Sequence, residues 1–214
     1  MSSGAALRAA FGDFYGQSWR LFVLNAALSA CVVPVVVAGL WMPLAWALLL
    51  FAGPLVAALM HCAVVVTSTG ELRLGEALVG LRLHWRRGLL LGALVAGAAL
   101  LSANAISYYA DSHALFLAVL GVYLALFFGA FQVILWPIAI AERARPVRAV
   151  AEDAGRTLLR RPVQALVLCG ALAIVNLVGL AAALLPFLTV TIAYSFLAAA
   201  RFALPPNPTE EAID

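Results

Sequence analysis

The chain alternates between long apolar runs and short charged segments. Apolar runs cover residues 21–40, 44–66, 88–109, 114–140, 163–184 and 186–203, with Arg201 near the end of the last as their one charged residue. Each is close to the ~20 residues that an α-helix needs to cross a bilayer. Three of the intervening segments repeat every 3.6 residues instead. In residues 5–19 the apolar stripe is Leu7, Phe11, Phe14 and Tyr15. In 72–87 it is Leu74, Leu78, Leu81 and Trp85, with Arg73, Glu76, Arg82, Arg86 and Arg87 off it. In 146–161 the stripe is Val147, Val150, Ala151, Ala154 and Leu158, and Pro146 sits where a first-turn proline is tolerated. The pattern predicts an all-α integral membrane protein of six transmembrane helices. They form three hairpins, each preceded by an amphipathic helix lying in the cytoplasmic interface. Residues 1–204 form one membrane domain, and the Pro-rich, acidic residues 205–214 are expected to be disordered. The first apolar run is longer than a cleavable signal core and reads as a retained helix.

Punctuation inside the spans refines this. Pro34, Pro54 and Pro137 fall within predicted spans, where a missing N–H kinks a helix. Ser68 and Glu71 have capping-box spacing ahead of the second amphipathic segment. The three connections opposite the charged segments carry no arginine, so the positive-inside rule puts both termini and the amphipathic helices in the cytoplasm.

Composition agrees with a bilayer-embedded chain. The 214 residues are 65% hydrophobic and 11% charged, against about half and a quarter in soluble domains. All 13 basic residues are arginine, which leaves no amine for Schiff-base chemistry. The net charge of +3 is concentrated in the short segments. Arg73, Arg82, Arg86, Arg87, Arg148, Arg156, Arg160 and Arg161 are therefore the candidate surface for anionic lipid headgroups or a partner, and nucleic acid is not implied. Cys31, Cys62 and Cys169 all lie in apolar runs without metal-ligand spacing.

Candidate chemistry is sparse. The interiors of the predicted spans hold no Asp, Glu, Lys or Arg, which argues against a charge-coupled pump. No phosphate-binding loop, zinc-protease or serine-hydrolase motif occurs. No catalytic residue, cofactor or metal is assigned. Asn25, His61, Gln132 and Asn176 are the candidate intramembrane polar residues, and interhelical hydrogen bonding is the expectation for each. His61 in particular lacks an obvious carboxylate or histidine at a matching depth. Gly12 and Gly16 make a GxxxG in a segment that does not cross.

Several stretches resemble the YesL-like family of bacterial integral membrane proteins: RLFVLNAALSACVVPVV, AGPLVAALMHCAVVV, LGEALVGLRLHWRRGLLLGAL and FQVILWPIAIAER. Asn25, Pro34, Pro54, Gln132 and Pro137 are the matching positions, and the resemblance runs over about residues 10–204. A weaker apolar face on the third amphipathic helix is the departure. The resemblance implies a bacterial inner-membrane protein accessory to carbohydrate uptake or utilisation. The expected function is a non-enzymatic accessory or scaffold for a transport or envelope system. A small-solute transporter or channel, with a polar site between kinked helices, is the alternative.

Overall fold

The computed structural model describes residues 2–42, 51–181 and 190–204, and these are helical throughout apart from short turns. Eight helices are described: α1 (Ser3–Gly16), α2 (Ser18–Trp41), α3 (Ala52–Thr69), α4 (Gly75–Asp111), α5 (Leu115–Ala141), α6 (Val147–Arg160), α7 (Pro162–Ala181) and α8 (Ile192–Ala203). Among them α2, α3, α4, α5 and α7 are long and apolar enough to cross a membrane. The protein is thus a multi-pass membrane protein. The sixth predicted span, 186–203, is represented by the 12 residues of α8. Its expected turn near Leu185 and Pro186, residues 44–50 of the second span and the tail 205–214 lie outside the described residues.

The main departure from the sequence pattern is α4. Residues 75–87 do not form a separate interfacial helix; they are the first third of one continuous 37-residue helix. At 1.5 Å per residue it is about 55 Å long, well beyond the ~30 Å of hydrocarbon. Its charged part therefore extends in line with the span and does not lie flat beside it. The reason is packing. Gly70, with φ 75°, closes α3 in the left-handed conformation that glycine adopts freely. The chain then reverses, and α4 runs back along α3 in the most extensive helix pair of the fold. Contact is backbone to backbone at Gly53, Gly88 and Gly92. Gly88 is thus a packing position and not a hinge. Thr69 Oγ1, not a Ser68–Glu71 capping box, accepts the Glu71 N–H at 3.3 Å, while Ser68 donates back to Val65.

Pro34 and Pro137 lie inside α2 and α5, and Pro54 lies in the first turn of α3 as described. The third amphipathic segment, α6, buries Val150, Ala154 and Leu158 on one side, a fully formed apolar face. The first, α1, packs on α8 through Ala6 and Ala10, and leaves Phe11 and Tyr15 exposed. Two long-range contacts fix it: Tyr194 Oη donates to Leu7 O at 3.1 Å, and Arg201 grips Asp13 with Nε–Oδ2 2.7 Å and Nη2–Oδ1 2.8 Å. Gly12 and Gly16 face open space.

Candidate functional site

Four helices line an open cleft of about 350 Å³. Helix α5 lines it with Gly129, Gln132, Val133 and Trp136, and α7 with Cys169, Leu172, Ala173 and Asn176. Both sets have the i, i+3, i+4, i+7 spacing of one helical face. Val56 and Met60 of α3 and Ser195, Phe196 and Ala199 of α8 complete the wall. Among the described lining residues the amide and hydroxyl side chains are Gln132, Asn176 and Ser195, and the rest is largely apolar. Asn176 Nδ2 donates to Leu172 O at 2.7 Å and to Ser195 Oγ at 2.8 Å, and Ser195 Oγ donates to Thr191 O at 2.7 Å. Gln132 is 9% exposed, and neither its amide nitrogen nor its amide oxygen has a hydrogen-bond partner.

No charged residue is among those lining the cavity. The site can hold an uncharged molecule by shape and a few hydrogen bonds, the usual makeup of a small-molecule pocket. Of the four polar residues read from the sequence, the structure brings Gln132 and Asn176 together here. Ser195 joins them, and nothing in its own sequence context marks it out.

His61 and Asn25 lie elsewhere. His61 on α3 nests over Gly80 of α4, where any Cβ would meet the His61 ring carbons 2.9–3.0 Å away. It sits between Glu76 and His84, one turn to either side. Its Nε2 is 3.5 Å from Glu76 Oε2, without hydrogen-bond alignment. Its ring centroid is 5.2 Å from that of His84. His84 is 2% exposed, and neither ring nitrogen is hydrogen-bonded. The expectation that His61 has no carboxylate or histidine neighbour is therefore corrected. A flat interfacial helix would have carried Glu76 and His84 away from α3; the continuous α4 stands them against it. The i, i+4 series Glu76, Gly80, His84, Gly88 is the sequence signal for this face. Asn25 is fully buried with both amide atoms unpartnered. Its neighbours in sequence, Leu24 and Leu28, line a second, apolar cavity of about 240 Å³ between α2, α3 and α4.

The candidate arginine surface divides. Arg87 is half-buried and donates to the carbonyls of Ala139 (2.6 Å), Glu142 (3.1 Å) and Arg145, so it caps the C-terminus of α5 and is not part of a free surface. Arg148 pairs with Glu152 and Arg156 with Asp153 on α6. Arg145 hydrogen-bonds Asp153 and Glu142, each at 2.5 Å, which raises its guanidinium pKa further above the ordinary value. Arg73, Arg160 and Arg161 are exposed. Arg82 and Arg86 are also exposed, and among the described residues neither makes an ion pair. Arg86 lies 5.6 Å from the Trp85 ring centroid.

Comparison with protein-family models, with curated proteins and with solved structures found no match.

Proposed function

We propose that the chain is a non-enzymatic accessory or scaffold protein of a bacterial inner-membrane transport or envelope system. Carbohydrate uptake is the setting that the YesL-like resemblance implies. In this reading six spans place both termini and the charged ends of the helices in the cytoplasm.

The observation that supports it is the face around Trp85. Arg82 and Arg86 stand exposed without an acidic partner among the described residues, beside exposed Leu78, Val79 and Trp85. The described residues neither neutralise nor cover this surface. Arginine next to an amphipathic aromatic suits anionic headgroups, at ~1 kcal/mol per basic residue near the surface, and suits the polar edge of a partner protein. The test is extraction in mild detergent, identification of co-purifying proteins, and flotation with anionic vesicles. Arg82→Gln with Arg86→Gln should weaken one or both associations. If both persist unchanged in the double variant, the accessory mechanism is wrong.

A small-solute transporter or channel is the second reading, and the cavity lined by Gln132, Asn176 and Ser195 is the observation that favours it. Flux in proteoliposomes across a panel of sugars and amino acids separates it from the first.

A further inference from the structure

We propose that the cavity between α3, α5, α7 and α8 is a binding site for a small uncharged amphiphile, an aliphatic body carrying one hydroxyl group. This inference goes beyond the accessory reading and does not depend on it, because it concerns the cleft between four helices and is tested without any partner.

Three properties of the cavity select the ligand. Its volume of about 350 Å³ lies in the range of small-molecule sites, roughly 300–1,000 Å³. Its walls are hydrocarbon and aromatic, with Met60, Trp136 and Phe196 among them, which calls for an apolar body. No Arg, Asp, Glu or His is among the residues lining it. An ionised head, whether phosphate, carboxylate or ammonium, would be stranded there without a counter-charge.

Gln132 supplies the specificity. It is nine-tenths buried and among the lining residues, and its amide nitrogen and oxygen are both unmet and shielded, so a ligand hydroxyl reaches them through a rotation of the Gln132 side chain. Buried polar groups are almost always hydrogen-bonded, so an amide with neither atom satisfied calls for a missing partner. The nearest polar pair does not fill that role, since Asn176 Nδ2 is spent on Leu172 O and Ser195 Oγ, and the Ser195 hydroxyl on Thr191 O. A ligand hydroxyl both donates and accepts, so one group can meet both needs of the Gln132 amide.

The test uses the full chain in lipid nanodiscs, with brominated octanol and brominated octane as probes. Bromine quenches tryptophan on contact, and Trp136, 8% exposed in the cavity wall, is the reporter. Its signal is taken as the difference between the wild type and Trp136→Phe. The alcohol should quench saturably and bind about tenfold more tightly than the alkane, as expected of one hydrogen-bonding group. Gln132→Leu should abolish that preference so that the two probes bind alike. Ala199→Phe, which fills the cavity from α8, should remove saturable quenching by both; Ala173→Phe does the same from α7 if the first variant does not fold. Equal binding of alcohol and alkane by the wild type would reduce the cavity to a gap filled by lipid tails and overturn the proposal. So would an alcohol preference that survives in Gln132→Leu, or quenching that never saturates.

Discussion

A Cβ atom on Gly88 would stand 2.8 Å from the carbonyl oxygen of Gly53 and 2.8 Å from the Cα of Pro54. What it would meet is backbone and the Cβ of Ala57 at 2.9 Å, none of which can rotate aside as a longer side chain can. In a bilayer, where lipid tails are as apolar as leucine, helix association depends on such close approach of small residues. Gly88→Ala is therefore expected to lower stability by about 1–3 kcal/mol through overpacking. Gly97, further along the same helix, has nothing within 4 Å of its would-be Cβ. Gly97→Ala should be neutral, or stabilising by less than about 1 kcal/mol through helix propensity. Thermal unfolding in matched micelles compares the two, and equal midpoints would refute the packing role of Gly88.

This pair also marks the limit of what the sequence pattern specifies. Uncharged runs of span length identified α2, α5 and α7, because a bilayer tolerates little else. Pro146 and the Val150, Ala154, Leu158 series identified α6, because its buried face has a clean helical period. Residues 72–87 have an equally clear period, yet their direction relative to the next span is not written in it. A glycine at the junction serves a bend or a tight contact equally well, and only the presence of Gly53 opposite decides. The same holds for the cavity. Gln132 and Asn176 were recognisable as polar residues in apolar runs, but their convergence depends on how α5, α7 and α8 pack. The contact between Asp13 and Arg201 spans 188 positions, and no local pattern signals it.

Arg87 joins two parts of the fold. Its guanidinium satisfies the carbonyl of Ala139 in the last turn of α5 and those of Glu142 and Arg145 in the turn that follows. Hydrogen bonds from a charged donor contribute about 1.5–3 kcal/mol each, so Arg87→Met should destabilise the protein by several kcal/mol. Arg87→Lys should recover only part of the loss, since an ammonium on a flexible stem cannot reproduce the planar fork. Hydrogen exchange at residues 139–146 reads this directly, with faster exchange in the methionine variant and intermediate exchange in the lysine variant. Unchanged exchange in Arg87→Met would show that the cap is dispensable.

The Asp13–Arg201 pair ties α1 to α8. Both side chains are largely buried, at 15% and 7% exposed, and the contact is bidentate. Removing one partner of a buried pair leaves an uncompensated charge and costs about 3–5 kcal/mol. Asp13→Ala and Arg201→Met are each expected to show a loss of that order. The double variant should be less damaged than the sum of the singles, because no lone charge remains. A double-mutant cycle by unfolding midpoint measures the coupling, and additive losses would mean that the two side chains do not act as a pair.

Asn25 and His84 make the opposite kind of prediction. Both are buried, and neither side chain has a hydrogen-bond partner for its nitrogen or oxygen atoms. A buried polar group left unmet costs about 1–3 kcal/mol, so an apolar residue of similar size should remove a penalty and not an interaction. Asn25→Leu and His84→Leu are expected to raise the unfolding midpoint. His61→Leu differs, because it leaves Glu76 without the contact at 3.5 Å, and it should not stabilise the protein. The sign of the His84 effect is the informative result. A lower midpoint for His84→Leu would mean that its ring nitrogens are bonded to water in the folded protein, and the His61–His84 contact would then be the edge of a hydrated polar network.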